Sequence, residues 1–292
     1  MMLGFVLVAM LPIVVSHVLR ELDQRSTDQA AMARGEVATG VARNSEFASY
    51  LGGLRSRVVG LALESSTHTA ISDFAHHFAV GQQEKTLGIE FGSLERQRNE
   101  IRRFYIDHFN AEYRQKNGEV LNVEPWVQRL DPASVVGQYD FIVRNTYPVE
   151  KKYEMLRPAR KTPYGESHAR FHPSFQNVLE EQGLYDVFLV GRDGRIVYSV
   201  FKEIDFATSL VSGPWANSGL ARAFEASRGL SAEQTHFEDF ASYVPSYDAP
   251  AAFLSTPIYQ GGEYQGALIV QVSLERFARP DYRRPQHVAA FQ

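Results

Sequence analysis

The sequence predicts an α+β fold: an N-terminal membrane-spanning helix and a long helical stalk, followed by a five-stranded antiparallel sheet. Three observations carry this expectation. An apolar run without charges opens the chain, apolar residues then recur at helical spacing, and after His172-Pro173 the period shortens to that of strands.

Met1 to Leu19 contains no Asp, Glu, Lys or Arg, and Leu3, Phe5, Val6, Leu7, Val8, Leu11, Ile13, Val14 and Val15 lie within it. That approaches the roughly 20 apolar residues of a spanning helix. Pro12 is tolerable there because neighbouring groups satisfy the carbonyl it frees. A cleaved signal peptide needs a basic start and a small-x-small site, and neither flanks this run, so an anchor is expected. The positive-inside rule calls for a Lys or Arg flank. Its absence leads us to expect that the helix starts upstream of Met1.

From Arg20 to about Phe78 the chain is proline-free, and Phe47, Tyr50, Leu51, Leu54, Val58, Leu61 and Leu63 have mostly helical spacing. Gly52-Gly53 is the expected bend. A second helix is expected over Leu94 to Tyr113, with Ile101, Phe104, Tyr105, Phe109 and Tyr113 opposite a basic side. Lys116 to Pro163 is broken by prolines around a helix-like stretch, Ser134 to Arg144, and is too aromatic for a disordered linker.

A short helix over Ser174 to Gln182 precedes the sheet. Tyr185 to Val190 reads as an apolar strand, Gly191-Arg-Asp-Gly194 as a hairpin turn, and Arg195 to Phe201 as the returning strand. Ser218 to Ser227 is a helix, and strands follow at Thr235 to Phe240, Ala251 to Gln260 and Tyr264 to Val272. The expected organisation is therefore a spanning helix at 1–19, helical stalk and connector at 20–173, sheet domain at 174–276, and an atypical tail at 277–292.

Composition excludes several functions. The net charge of -4 over 292 residues, with dispersed Lys and Arg, shows no face for nucleic acid. The absence of cysteine removes thiol catalysis and cysteine-ligated zinc. His168 and His172 have i, i+4 spacing, but Ala169 stands where a two-histidine zinc helix has Glu, so they are expected to cap and pack the connector. Neither a nucleophile elbow nor a phosphate-cradling glycine loop occurs. No catalytic residue, metal or cofactor is expected.

The wording of Tyr185-Asp-Val-Phe-Leu-Val190 and Asp193-Gly-Arg-Ile-Val-Tyr-Ser-Val-Phe-Lys-Glu-Ile-Asp-Phe-Ala-Thr-Ser-Leu210 resembles the Cache-like, double-Cache type, extracytoplasmic sensor region of bacterial chemoreceptors, sensor kinases and membrane nucleotide cyclases. The likeness continues through Gly213-Pro-Trp-Ala-Asn-Ser-Gly-Leu220, Glu238-Asp-Phe240 and Asp248-Ala-Pro-Ala-Ala-Phe253. Upstream it takes in Asn145-Thr-Tyr-Pro148, Tyr164-Gly-Glu-Ser-His168 and His172-Pro173, so that it covers residues 45–275 in outline. It implies a PAS/Cache-like sheet that binds a small solute beside the crossover after its first hairpin. In that family Val272-Ser-Leu-Glu-Arg276 leads on towards a second membrane helix. The tail with Pro280, Pro285, Arg279, Arg283 and Arg284 departs from this pattern, and truncation is expected.

Two walls of a ligand site follow from the resemblance. Tyr198, Phe201, Lys202 and Asp205 lie at the start of the crossover, where Lys202 would meet a ligand carboxylate and Asp205 an amine. Asp239, Tyr243, Ser246, Tyr247 and Asp248 form the other, ahead of the strand that carries Phe253 and Ser255. The plain alternative for Lys202 and Asp205 is a structural pair that locks the crossover onto the hairpin. The expected function is the extracytoplasmic ligand-sensing part of a bacterial inner-membrane receptor, homodimeric and binding an amino acid or organic acid. The rival is a dimerisation or partner-binding module without a ligand.

Overall fold

The computed structural model describes residues 45–88, 91–147 and 149–273. The chain divides into two compact units, residues 1–52 and 53–292. Only 45–52 of the first is described, and it is helical.

The expected fold class is corrected in one respect. Among the described residues no helix is long and apolar enough to cross a membrane, so the fold is α+β with one five-stranded antiparallel sheet and no spanning helix there. The physical reason is that the helices are striped: α3, for example, reads FGSLERQRNEIRRF, with charges on most of its circumference. The spanning helix assigned to 1–19 and the tail at 277–292 both lie outside the described residues.

Residues 45–63 form helix α1, which passes through Gly52-Gly53 without interruption. The break comes instead at Glu64, whose carbonyl accepts from Thr67 and His68 N–H, and α2 (Ser65–Gly88) starts there. Helix α3 (Phe91–Phe104) continues through a π turn, Tyr105–Phe109, into α4 (Asn110–Asn117), which ends at left-handed Gly118. Short α5 (Glu124–Gln128) precedes α6 (Pro132–Gln138), whose N-cap Asp131 accepts from Ser134 N–H, and a second π turn, Tyr139–Val143, follows.

Helix α7 (Pro163–Gln182) is longer than expected because Thr162 caps it and Pro163 occupies its first turn. Pro173 sits inside the helix rather than at its start. Gly183 closes it with φ 60°.

Strands β1 (Asp186–Gly191) and β2 (Ile196–Ser199) form the expected hairpin, and Gly194 takes φ 83° in the turn. Helix α8 (Gly219–Ser227), capped by Ser218, leads to β3 (His236–Tyr243), β4 (Ala249–Gln260) and β5 (Glu263–Ser273). Gly261 and Gly262 both have positive φ in the last turn. The sheet order is β2-β1-β5-β4-β3.

Strand alternation sorts the sheet into two buried faces. Val187, Leu189, Leu268, Val270 and Leu254 face α2 and α7, where Phe74 stacks on Tyr198. Asp186, Phe188, Val190, Gln271, Ile269 and Phe253 face the other way. Phe188, Val190, Ile269 and Phe253 there join the core built with Tyr105, Ile204, Phe206, Trp215 and Phe224. The crossover after β2 thus lies between the sheet and a cap made of α3 to α6.

Candidate functional site

The crossover is gripped from both sides, and this positions the site. On the cap side, Gln138 Nε2 donates to the carbonyls of Ile204 (2.8 Å) and Phe206 (3.0 Å). The Tyr105 hydroxyl lies 2.6 Å from Gln138 Oε1 and 3.2 Å from Ile204 O, and Trp215 Nε1 donates to the same carbonyl. Arg195 donates to Ala207 O at 2.8 Å and pairs with Asp131, the cap of α6, at 2.5 Å. Tyr105 begins one π turn, and Gln138 stands just before the other.

On the sheet side lies a cluster of ionisable groups. Asp186, at the start of β1, is wholly buried, and its Oδ1 accepts from the N–H groups of Val187 (2.7 Å), Val200 (2.8 Å) and Phe201 (3.3 Å). Gln271 stands opposite it on β5 and donates to Ser246 Oγ at 3.0 Å. Ser246 Oγ and the Tyr185 hydroxyl each donate to Glu203 at 2.7 Å. Asp205, wholly buried, accepts from the Tyr243 hydroxyl at 2.5 Å. Three acceptors in this cluster have no hydrogen-bond partner: Asp186 Oδ2, Asp205 Oδ1 and Gln271 Oε1.

Burial governs the protonation of these groups. It pushes the Asp205 carboxyl up to about 6, against the bond it accepts from Tyr243 and the pull of the nearby Asp205 and Phe206 N–H groups. Burial, with the charge of Asp205, raises Glu203 well above the carboxylate range. Burial, with the charge of Asp205, raises the Asp186 carboxyl, and burial lowers the Lys202 ammonium, which the charge of Asp186 supports.

Lys202 is buried with φ 55°, a left-handed backbone held by its own N–H donating to Ser199 Oγ at 3.0 Å. Its ammonium donates to Ser199 O at 2.6 Å. It also lies 4.8 Å from the centroid of the Tyr198 ring and 5.6 Å from those of Phe141 and Phe206.

Of the residues singled out from sequence, Asp205 and Tyr243 meet in this cluster, Lys202 borders it within electrostatic reach of Asp186, and Phe253 packs edge-on against Tyr243 at 5.1 Å. Tyr198 points to the opposite face, where its hydroxyl meets His172 Nδ1 at 2.7 Å, although its ring still borders Lys202. Phe201 packs on Tyr153 and Tyr185. Tyr247 stacks on Phe109. Ser255 ties β4 to α8 through Ala223 O. Asp239 is exposed on an irregular stretch of β3.

His168 and His172 hold the connector, bonding to Leu156 O and Tyr153 O at 2.8 and 2.5 Å. Among the described residues no group of His, Cys, Asp and Glu is arranged to hold a metal.

Sequence reasoning passed over Asp186, Glu203 and Gln271, while Ser246 was already part of its second wall. The available signal was a polar residue set in an apolar run, Asp186 before VFLV in β1 and Gln271 within ALIVQV in β5.

No family model and no curated protein matches the chain. Solved structures similar to it include the sensor domain of the V. cholerae histidine kinase DctB, at 12% identity and TM-score 0.31, covering 58% of each chain. Another is the extracellular domain of the putative histidine kinase vpHK1S-Z8, at 14% identity and TM-score 0.27, covering 63% of this chain and 60% of that one. The chain thus spans about three-fifths of the length of the solved sensor domains it matches.

Proposed function

We propose that this chain is a sensor module of a signal-transduction receptor, and that it binds a small solute between the sheet and the crossover without chemistry of its own. One observation supports the reading above the rest. Asp186 Oδ2, Asp205 Oδ1 and Gln271 Oε1 are buried acceptors without a partner, gathered in one cluster. A buried polar atom left unpaired costs about 1–3 kcal/mol, so such a group calls for a bound donor. Donors are supplied by the amino group of an amino acid or amine and not by a purely anionic organic acid. The wording of the Tyr185 to Leu210 segment supports an extracytoplasmic setting.

The crossover gives binding a route outward. A solute that favours one placement of Asp205 also favours one placement of the Ile204 and Phe206 carbonyls, which the cap holds through Gln138 and Tyr105, and of the Ala207 carbonyl, which Arg195 of the hairpin holds. The test is thermal unfolding of the purified chain against a panel of amino acids, amines and organic acids. A ligand at a hundred times its Kd adds about 2.7 kcal/mol, or a rise in Tm of about 5–10 °C. The expected hits are amines, and Asp205→Asn should abolish their effect. Stabilisation by organic acids alone, or by nothing in the panel, would refute the reading.

A further inference from the structure

We infer that the ring of Phe141, Tyr198 and Phe206 is a subsite for an organic ammonium group, and that Lys202 fills it as a tethered stand-in which an incoming ligand displaces. This deepens the reading of the neighbouring cluster as a ligand site and rests on it.

The geometry is that of a cation cage. Three rings from three elements, the second π turn, β2 and the crossover, lie within 4.8–5.6 Å of one ammonium, inside the range of about 6 Å over which a ring face attracts a cation. A buried carboxyl group stands beside the rings. Asp186 acts electrostatically on both Lys202 and Tyr198, and its Oδ2 has no partner.

Lys202 fits this cage as a substitute occupant. An ammonium has three N–H donors, yet among the described residues its one hydrogen-bond acceptor is Ser199 O, a carbonyl of its own tight turn. The backbone pays for the insertion with φ 55° at a residue that is not glycine. Withdrawal of the side chain would empty a cage beside the Asp186 carboxyl. A ligand carrying a primary or methylated alkylammonium would then satisfy the rings and, through its N–H groups, the orphaned oxygens.

Displacement would also reach the cap. Phe141 belongs to the turn after α6, and Phe206 lies beside the carbonyls that Gln138 holds.

The experiment is chemical rescue in the full chain. Lys202→Ala deletes Cγ, Cδ, Cε and Nζ, which the propylammonium ion restores atom for atom, while 1-propanol restores the same length with a neutral end. We expect propylammonium to raise the Tm of Lys202→Ala saturably, 1-propanol to have no saturable effect, and the wild type to respond only at concentrations at least tenfold higher. Adding Phe141→Leu should weaken the rescue at least fivefold. An equal response to 1-propanol, or none to either probe in a folded Lys202→Ala, overturns the inference.

Should that variant not fold, NMR of wild-type protein labelled with lysine ε-¹³C decides the matter. The Lys202 ε-methylene protons should be shifted upfield by the three rings and should lose that shift at high propylammonium. An unshifted signal, or one that never moves, overturns it. A propylammonium-specific response in Lys202→Ala stands whether or not any panel solute stabilises the wild type, so the failure of the cage and the failure of the sensor reading are separate results.

Discussion

Replacing Asp186 tests whether its carboxylate is held for the bonds it accepts or for its charge. Oδ1 receives the N–H groups of Val187, Val200 and Phe201, which tie the end of β2 to the start of β1. Val200 N–H also has Val187 O at 3.2 Å, so Asp186→Ala takes the side-chain acceptor chiefly from the other two. At about 1–3 kcal/mol for each buried donor, the alanine variant should lose about 2–6 kcal/mol. Asp186→Asn keeps an oxygen at Oδ1 and places an amide where Oδ2 has no partner. It exchanges a buried, costly carboxyl for a neutral group, so its stability should stay within about 1 kcal/mol of wild type. Urea unfolding at pH 7 measures both, with the midpoint moving and the slope unchanged. If the asparagine variant lost as much as the alanine variant, charge rather than hydrogen bonding would be what Asp186 contributes, and the account of the cluster would be refuted.

The same cluster makes stability depend on pH. Asp205 binds its proton more tightly in the folded chain, with its pKa raised from 3.8 to about 6 by burial, so its contribution is complete below about pH 4 and is lost as pH rises through 6. Relative to wild type, Asp205→Asn should therefore gain up to ~3 kcal/mol between pH 4 and pH 7, read from urea midpoints. His172 works in the opposite sense. Burial and the charge of Lys202 lower it from 6.5 to about 3, so its contribution is present above pH 6.5 and is lost as pH falls towards 3. Arg195→Lys removes the fork that spans Asp131 and Ala207 O. We expect a loss of about 1–3 kcal/mol and a fall in Tm of about 2–10 °C in calorimetry, because an ammonium on a flexible stem cannot reproduce the rigid planar fork that grips both carboxylate oxygens and the carbonyl. An unchanged Tm would show that the crossover does not depend on this clasp.

Local chemistry made most of the sheet legible in the sequence. The Gly191 to Gly194 turn, the Ser218 cap and the Gly261-Gly262 turn need only neighbouring residues to act, and all three stand where their residue types put them. Helix ends were less legible. Glycines at 52 and 53 and a proline at 173 disfavour helix intrinsically, but packing overrides propensity, and the breaks fell at Glu64 and Gly183 instead. Neither π turn leaves a mark in apolar spacing, although a side chain that holds the crossover stands at the start of one, Tyr105, and just before the other, Gln138.

The candidate site divides the same way. Lys202, Asp205 and Tyr243 were legible as polar groups at the edge of apolar strands. That Asp186 faces Gln271, that Tyr198 turns away from Asp205, and that three rings close on one ammonium all depend on strand register and on the seating of the cap. A one-residue change of register would send each side chain to the other face. Register is set by packing between segments far apart in the chain, so only the tertiary structure could decide which of these residues meet.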